Sequence, residues 1–89
     1  MTYEVRLDRN ADRALGSFED AVQDRLVKAM RHLKSNPLRA RPGADIKRLH
    51  GTRHTCRLRV GDYRAFYTVY AEARVVVVTD IRHRSHAYD

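Results

Sequence analysis

Residues 55–67 read Thr-Cys-Arg-Leu-Arg-Val-Gly-Asp-Tyr-Arg-Ala-Phe-Tyr, and this stretch decides the fold. Two runs of alternating residues flank Gly61-Asp62, and a two-residue loop with glycine first is typical of a type II′ turn in a β-hairpin. Such a turn fixes the antiparallel register of the two strands. The predicted opposed pairs are Val60 and Tyr63, Arg59 and Arg64, Leu58 and Ala65, Arg57 and Phe66, and Cys56 and Tyr67.

This register divides the hairpin into an apolar face and a basic face, because alternate side chains of a strand share a face. Like charges opposed across two strands destabilise a sheet by up to about 1 kcal/mol, so folding alone gives no reason for a basic face. Two interpretations stay open at this point: a solvated face with Asp80 or Glu72 as an internal counter-ion, or a binding site for phosphate. The basic face carries Arg57, Arg59, Arg64 and Phe66.

The net charge of the chain favours the phosphate site. Eighteen Lys and Arg residues against eleven Asp and Glu residues give +7, and fifteen of the cations are Arg, whose planar guanidinium suits phosphate and stacked bases. Residues 47–89 carry +5 of this charge and residues 1–46 carry +2. Lys47, Arg48 and Arg53 extend the basic surface just before the hairpin. Composition therefore predicts a polyanionic partner.

Length and patterning exclude several classes of protein. A chain of 89 residues has room for one core, so we expect a single domain over residues 1–89. The longest strictly apolar run, Val75-Val76-Val77-Val78, is far shorter than the roughly 20 residues of a membrane span, and the N-terminus lacks the apolar stretch of a secretion signal. We expect a cytoplasmic protein with no membrane partner. Cys56 is the one cysteine and no Cys/His cluster has zinc-finger spacing, so we expect no metal and no cofactor.

Upstream of the hairpin, the sequence predicts a strand followed by two helices. Ser17, with Asp20 three residues later, resembles a capping box that begins the second helix. The residue before Pro37 disfavours the helical region, so the second helix ends there. The predicted elements are a strand over residues 2–7, a helix over 9–15 capped by Asp8 and ended by Gly16, and a longer helix from Phe18 to Asn36.

Downstream of the helices, residues 37–45 carry both prolines and predict an exposed loop. Short alternating runs then predict four strands, over 46–49, 54–60, 63–71 and 74–81. The fold class is therefore α+β: an N-terminal strand, a helical hairpin, and a three- to four-stranded antiparallel meander. We expect both helices to cover one face of the sheet and to leave the other partly open.

The C-terminal residues 82–88 read Arg-His-Arg-Ser-His-Ala-Tyr. Imidazole, guanidinium and phenol groups are the types that transfer protons and stabilise charge at a phosphodiester. Because the segment follows the last predicted strand directly, we expect it beside the basic face.

Together, these motifs resemble the RelE/ParE superfamily of toxins from toxin–antitoxin systems. The matching segments are Lys-Arg-Leu-His-Gly at 47–51, Arg-Leu-Arg-Val-Gly-Asp-Tyr-Arg at 57–64, and His83-Arg84 followed by Tyr88. The resemblance covers nearly the whole chain and is closer to RelE than to ParE. It implies a RelE-like fold of the microbial RNase type and a ribosome-dependent endoribonuclease that cuts mRNA in the A site.

The resemblance also implies roles for individual residues. Arg57 matches a basic residue that contacts the scissile phosphate, and Arg64 matches an arginine that stabilises the transition state. Arg84 matches, after a small shift of the alignment, an arginine assigned as general acid. Tyr88 matches a tyrosine that stacks on the substrate base or transfers a proton. Further substrate contacts are expected from Lys47, Arg48, Arg59 and His83.

One departure from the family pattern leaves the general base unassigned. Some members have a basic lysine where this chain has Thr55. A guanidinium is a poor proton acceptor because its pKa exceeds about 12, so the arginines should stabilise charge. We expect no acidic residue beside Arg57 and Arg59, which argues against a carboxylate base. The candidate proton carriers are His54, His83, His86 and Tyr88.

The chemistry implied by the resemblance is attack of an RNA 2′-hydroxyl on the adjacent phosphorus, without a metal. The expected partners are the ribosome and mRNA, together with a cognate antitoxin that forms a hetero-oligomer with the toxin. Two alternatives stay open: a ParE-like gyrase inhibitor without nuclease activity, and a nucleic-acid-binding module without chemistry.

Overall fold

The computed structural model describes residues 2–51 and 54–86, and of His86 the backbone only. Its elements follow the predicted order with small shifts at their ends. They are β1 (Glu4–Leu7), α1 (Arg9–Gly16), α2 (Asp20–Met30), a 3₁₀ helix (Arg31–Lys34), β2 (Asp45–Arg48), β3 (Thr55–Val60), β4 (Tyr63–Tyr70), β5 (Val75–His83) and a final 3₁₀ turn (Arg84–His86).

The five strands form one mixed sheet in the order β1-β5-β4-β3-β2. Strands β2 to β5 are the predicted antiparallel meander. β1 adds to its edge parallel to β5, with Glu4 opposite Val75 and Leu7 opposite Val78. The N-terminal strand therefore lies beside the last strand, a pairing that no local sequence pattern indicates.

Both helices pack on the same face of the sheet, α1 over β5 and α2 over β3. The predicted apolar stripe of the second helix supplies this contact, since Leu26 and Leu33 are fully buried and Met30 nearly so. The sheet meets the helices with side chains such as Leu58 and Tyr67, which are also fully buried. The other face of the sheet carries no helix in the part of the chain that the structure describes.

The two helices begin in different ways. Asp8 caps α1 as predicted, because its Oδ1 accepts the backbone N–H of Ala11 at 2.9 Å. The predicted capping box at Ser17 is wrong: α2 begins at Asp20, after an N-cap at Glu19 that makes no side-chain bond. The Ser17 hydroxyl instead donates to the carbonyl of Ala14 at 2.6 Å, at the end of the preceding helix.

The hairpin register is confirmed at every predicted pair, from Val60 opposite Tyr63 to Cys56 opposite Tyr67. Gly61 has a φ of +58°, the left-handed value that the first position of a type II′ turn requires. A Cβ added at Gly61 would collide with Nη2 of Arg25 from α2. Glycine is thus needed there for the backbone conformation, whereas the flexible side chain of Arg25 can move away from an added Cβ.

A β-bulge in β5 changes which of its side chains face the helices. Phe66 lies opposite Asp80 while Tyr67 lies opposite Val78, so Thr79 is an extra residue on the β5 side. Its hydroxyl donates to the carbonyl of Phe66 at 3.3 Å. After the bulge, Ile81 is buried with the core, and the neighbouring Arg82 is turned to the opposite face.

No helix among residues 2–51 and 54–86 is long and apolar enough to cross a membrane.

Candidate nucleic-acid interface

The helix-free side of the sheet collects basic side chains from four strands. We call this surface the arginine face. Because facing residues on neighbouring strands point to the same side, the pairing defines two rows that run across the sheet. One row is Asp45, Arg59, Arg64 and Arg82, and the next is Lys47, Arg57, Phe66 and Asp80.

The turn carbonyl of Gly61 holds the two opposed arginines at the centre of the first row. Nε of Arg59 donates to this oxygen at 3.4 Å, and Nη1 of Arg64 donates to it at 3.3 Å. Arg64 also donates to the carbonyl of Tyr63 at 3.3 Å. Arg64 is only 6% exposed, whereas Arg59 is exposed. The hairpin therefore fixes one guanidinium firmly and leaves its partner open to solvent.

Arg57 lies beside a carboxylate that the sequence argument overlooked. Its Nη2 lies 3.4 Å from Oδ1 of Asp45, and the residue is only 7% exposed. Asp45 is far from Arg57 along the chain, but β2 brings it opposite Arg59. The expectation that no acidic residue lies near these arginines is therefore wrong. Asp45, rather than the proposed Asp80 or Glu72, supplies this counter-ion.

Arg82 belongs to the arginine face, although the sequence indicated it only as one cation of the C-terminal segment 82–88. The bulge places it opposite Arg64, and Nε of Arg82 pairs with Oδ2 of Asp80. Asp80 also accepts from Nδ2 of Asn10 at 3.2 Å. Half of the Arg82 side chain is exposed. One sequence signal could have indicated that Arg82 faces this side. The apolar residues Val76, Val78 and Ile81 are spaced by two and then by three positions, which indicates a bulge between Val78 and Ile81.

Arg84 and His83 lie outside the two rows of the arginine face. Nε of Arg84 is 3.8 Å from Oδ1 of Asp62 and its backbone N–H donates to Asp62 at 2.6 Å, so Arg84 is held at the hairpin turn. His83 faces the helix side, where its ring meets Tyr63 edge-on with centroids 5.2 Å apart. Neither residue therefore belongs to the two rows that the strand pairing defines.

The two basic residues of β2 point in opposite directions. Lys47 is exposed and lies opposite Arg57, at the border of the arginine face. Arg48 lies opposite the buried Cys56, which places it on the helix side of the sheet. The sequence predicts that both Lys47 and Arg48 extend the basic surface. In the structure only Lys47 does so.

Of the remaining residues singled out in the sequence, the structure describes Thr55 and His54 but not Arg53 and Tyr88. Thr55 lies opposite Thr68 on the side of Arg57, so the departure from the family pattern lies on the arginine face itself. His54 is exposed just before β3. Tyr88 and Arg53 lie outside the described residues.

The chemistry available on this face is charge stabilisation by fixed guanidinium groups. Buried, hydrogen-bonded arginines stabilise an anionic transition state without reorganising when it forms. Among residues 2–51 and 54–86, no three side chains of His, Cys, Asp or Glu converge as a metal site would require. The buried groups with raised pKa values lie on the opposite side of the sheet: burial raises the pKa of the Cys56 thiol and of the Tyr67 hydroxyl.

Comparison with known proteins gives consistent matches over nearly the whole chain. Residues 5–88 match the family model described as the ParE toxin of the type II toxin–antitoxin system parDE. A protein of Methanocaldococcus jannaschii named as a RelE1 toxin is 27% identical over 88 residues, which cover 99% of this chain and 97% of the relative.

Solved structures share the fold. A chain of the archaeal RelE–RelB complex from Pyrococcus horikoshii OT3 is 30% identical with a TM-score of 0.81, and the match covers 98% of this chain and all of that one. A chain of the toxin–antitoxin complex RelBE2 from Mycobacterium tuberculosis is 28% identical with a TM-score of 0.80, covering 94% of this chain and all of that one.

Proposed function

This chain belongs to the RelE/ParE superfamily of toxins from type II toxin–antitoxin systems, and we propose that it is a ribosome-dependent endoribonuclease that cuts mRNA in the A site. The observation that carries the proposal is the row of Arg59, Arg64 and Arg82 on the helix-free side of the sheet. Three guanidinium groups on neighbouring strands suit the closely spaced phosphates of a nucleic acid.

The proposed reaction needs a ribose 2′-hydroxyl, so its substrate is RNA. The 2′-oxygen attacks the adjacent phosphorus, the bond to the 5′-oxygen of the next nucleotide breaks, and a 2′,3′-cyclic phosphate and a 5′-hydroxyl result. One proton leaves the 2′-hydroxyl and one reaches the departing oxygen. Negative charge grows on the phosphate oxygens during the attack, and the guanidinium groups stabilise it.

Arg64 and Arg57 are proposed as the fixed part of this site. Both are almost buried and held by neighbouring oxygens, Arg64 by Gly61 and Arg57 by Asp45, so little side-chain entropy is lost when a phosphate binds. Arg82 takes the place that the family resemblance gave to Arg84, because Arg82 lies opposite Arg64. Tyr88 is proposed for stacking or proton transfer on the resemblance alone.

The ribosome is proposed as the device that positions the substrate. Among the described residues of the arginine face, the side chains are mainly cations that stabilise charge, and a guanidinium cannot take up a proton near neutral pH. The reaction rate at a site of this kind rises most when another macromolecule holds the 2′-hydroxyl and the phosphorus in line for attack. The toxin and its substrate would then meet in the cytoplasm.

The proposed partner that silences the toxin is a cognate antitoxin, bound in a hetero-oligomer. The related chains from Pyrococcus horikoshii and Mycobacterium tuberculosis come from toxin–antitoxin complexes. A cleft of about 310 Å³ between β1 and the helices supports such a contact; its lining includes Leu7, Val27, Met30, Arg31 and Lys34. Apolar walls with basic neighbours suit an amphipathic segment that carries acidic side chains.

The decisive experiment compares wild type with Arg64→Ala during induced expression, with the 5′ ends of mRNA mapped. We expect wild type to produce new ends within translated codons and Arg64→Ala to abolish both these ends and growth arrest. Arg13→Ala removes an exposed arginine of α1 and serves as the control that still cuts. Circular dichroism shows whether Arg64→Ala is folded. Cleavage by a folded Arg64→Ala variant at the wild-type rate would falsify the assignment of Arg64.

A second candidate function is inhibition of DNA gyrase, because the matching family model is described as a ParE toxin. The same expression experiment separates the two functions. A gyrase inhibitor would damage DNA, leave mRNA intact, and tolerate Tyr88→Phe.

A further inference from the structure

A cleft beside the end of β5 arises because the sheet narrows there. β1 pairs with β5 only from Val75 to Val78, so in the described chain the last residues of β5 have no strand on that side. The turn between α1 and α2 approaches them instead. The resulting space of about 250 Å³ is lined by Ala14, Ser17, Phe18, Ile81, Arg82 and His83. We call it the β5 cleft.

The rings of Phe18 and His83 line the β5 cleft, and the ring of Tyr63 contacts both of them. The rings of Phe18 and Tyr63 lie 4.9 Å apart at 59°, and Tyr63 meets His83 at 5.2 Å and 83°. The backbone carbonyl of Phe18 accepts from Nε2 of Gln23 at 2.8 Å, which holds the turn in place. The aromatic walls are therefore set before any ligand arrives, as in stacking sites for unpaired bases.

The polar atoms of the β5 cleft include a donor and an acceptor. Nδ1 of His83 lies 3.3 Å from the backbone N–H of Ser85 and 3.0 Å from the Ser85 hydroxyl. In the tautomer in which Nδ1 accepts from that N–H, Nε2 carries the proton and can donate. The Ser17 hydroxyl donates its hydrogen bond to the carbonyl oxygen of Ala14, so its oxygen can still accept one. A flat wall with one donor and one acceptor matches the edge of a nucleobase.

Arg82 connects the β5 cleft to the arginine face. It lines the cleft and also lies opposite Arg64 in the row of guanidinium groups. A phosphate held between Arg64 and Arg82 would leave its nucleotide next to the cleft entrance. The volume of about 250 Å³ is large enough for one base.

We propose that the β5 cleft is a nucleobase subsite that binds one unpaired RNA base beside the cleaved bond and so contributes base preference. This inference rests on the proposed function, since it names where a neighbouring nucleotide of the same substrate binds. In this proposal the base comes from mRNA, and a base of ribosomal RNA in the same cleft is the alternative that the second test separates. A base from mRNA would make the cleavage pattern depend on sequence at one fixed position, whereas a ribosomal base would not.

The first test titrates the purified wild-type chain with AMP, CMP, GMP and UMP while the ring signals of Phe18 and His83 are followed by NMR. We expect at least one nucleotide to shift both sets of signals, and Phe18→Leu to weaken that binding about fivefold or more, as loss of a stacking ring does. Tyr70→Leu removes an exposed ring at the far end of β4 and should leave it unchanged. Thermal melts confirm that both variants are folded.

The second test maps mRNA 5′ ends for the same variants. We expect wild type and Tyr70→Leu to share a base preference at one position beside the cut and Phe18→Leu to lose it. Loss of cleavage efficiency in Phe18→Leu without any wild-type base preference would assign the cleft to a ribosomal base.

The inference and the proposed function fail in different ways. If wild type cuts no mRNA but a nucleotide still shifts the two rings, the proposed function is wrong and the base-binding cleft stands. If wild type cuts and Phe18→Leu cuts at the same rate with the same preference, the subsite is refuted. It is equally refuted if only the antitoxin, and none of the four nucleotides, shifts the rings.

Discussion

Two arginines only two positions apart in the chain have different surroundings. Arg82 lies in the same row of the arginine face as Arg59 and Arg64, while Arg84 is 67% exposed and held 3.8 Å from Asp62 at the turn. An exposed ion pair of this length contributes little to stability, so Arg84 is expected to matter little for folding. For chemistry we expect it to matter less than Arg82, which lies in the row with Arg64.

We therefore expect Arg82→Ala to lower the rate of mRNA cleavage about 100-fold or more, as loss of one transition-state donor does. Arg84→Ala should change it about twofold or less. Quantified 5′ ends from a matched pair of induced cultures give both rates. The reverse ranking would show that the family position assigned to Arg84 in the sequence, and not the register, identifies the functional residue.

The sequence could not show that Arg82 lies in a row of the arginine face and Arg84 does not, because the difference depends on one extra residue in β5, Thr79. Strict alternation from the buried Val76 and Val78 would turn position 82 toward the helices. The bulge at Thr79 reverses that assignment, and a bulge is detected from sequence only when the missing step between Val78 and Ile81 is noticed. The pairing of the buried Arg57 with the exposed Asp45 was missed for another reason: it depends on β2, whose register no local turn specifies.

At the scale of elements, the β3–β4 hairpin was predicted correctly in every pair because one turn type fixes all of them. Gly61 is the residue on which that turn depends, with its φ of +58°. The start of α2 was not predicted correctly, because the Ser17 hydroxyl has an alternative acceptor in the preceding helix. In this chain the turn residues therefore predicted the strand register correctly, whereas the capping pattern at Ser17 did not predict the start of α2.

We expect Gly61→Ala to lower the free energy of unfolding by about 1–2 kcal/mol, the cost of a left-handed backbone for a residue with a Cβ. Thermal or urea unfolding measures the change. The added methyl group would also meet the guanidinium of Arg25, so the double variant Arg25→Ala/Gly61→Ala is the control. Recovery of wild-type stability in the double variant would attribute the loss to this contact and not to the backbone.

At the scale of the whole molecule, the buried pair of Cys56 and Tyr67 makes stability depend on pH. Burial raises the pKa of both groups in the folded chain, so the unfolded chain releases their protons first as the pH rises. The stabilisation is complete below the ordinary pKa values and declines above about pH 8.5 for the thiol and about pH 10 for the phenol. The Tyr67 hydroxyl also donates to the carbonyl of Pro37 at 2.5 Å, which ties the loop after the helices to the sheet.

We expect the free energy of unfolding of wild type to fall by about 1.4 kcal/mol per pH unit for each group that has begun to ionise. Tyr67→Phe should be about 1–3 kcal/mol less stable at pH 7, because a buried carbonyl loses its donor, and its curve should be flatter above about pH 10. Urea titrations at a series of pH values measure both effects. Parallel curves for the two proteins would contradict the role given to the phenol.

The pairing of β1 with β5 has a consequence for the newly made chain. Glu4 finds its partner only when Val75 has been synthesised, so the first strand to leave the ribosome waits through almost all of translation before it can enter the sheet. Contacts this distant along the chain form late and slowly. Arg82 joins the sheet at the same late stage, so under the proposed function unfinished copies of this chain would lack the complete row of guanidinium groups and would not cut the mRNA from which they are made. A cognate antitoxin made at the same time would have that interval in which to bind the toxin.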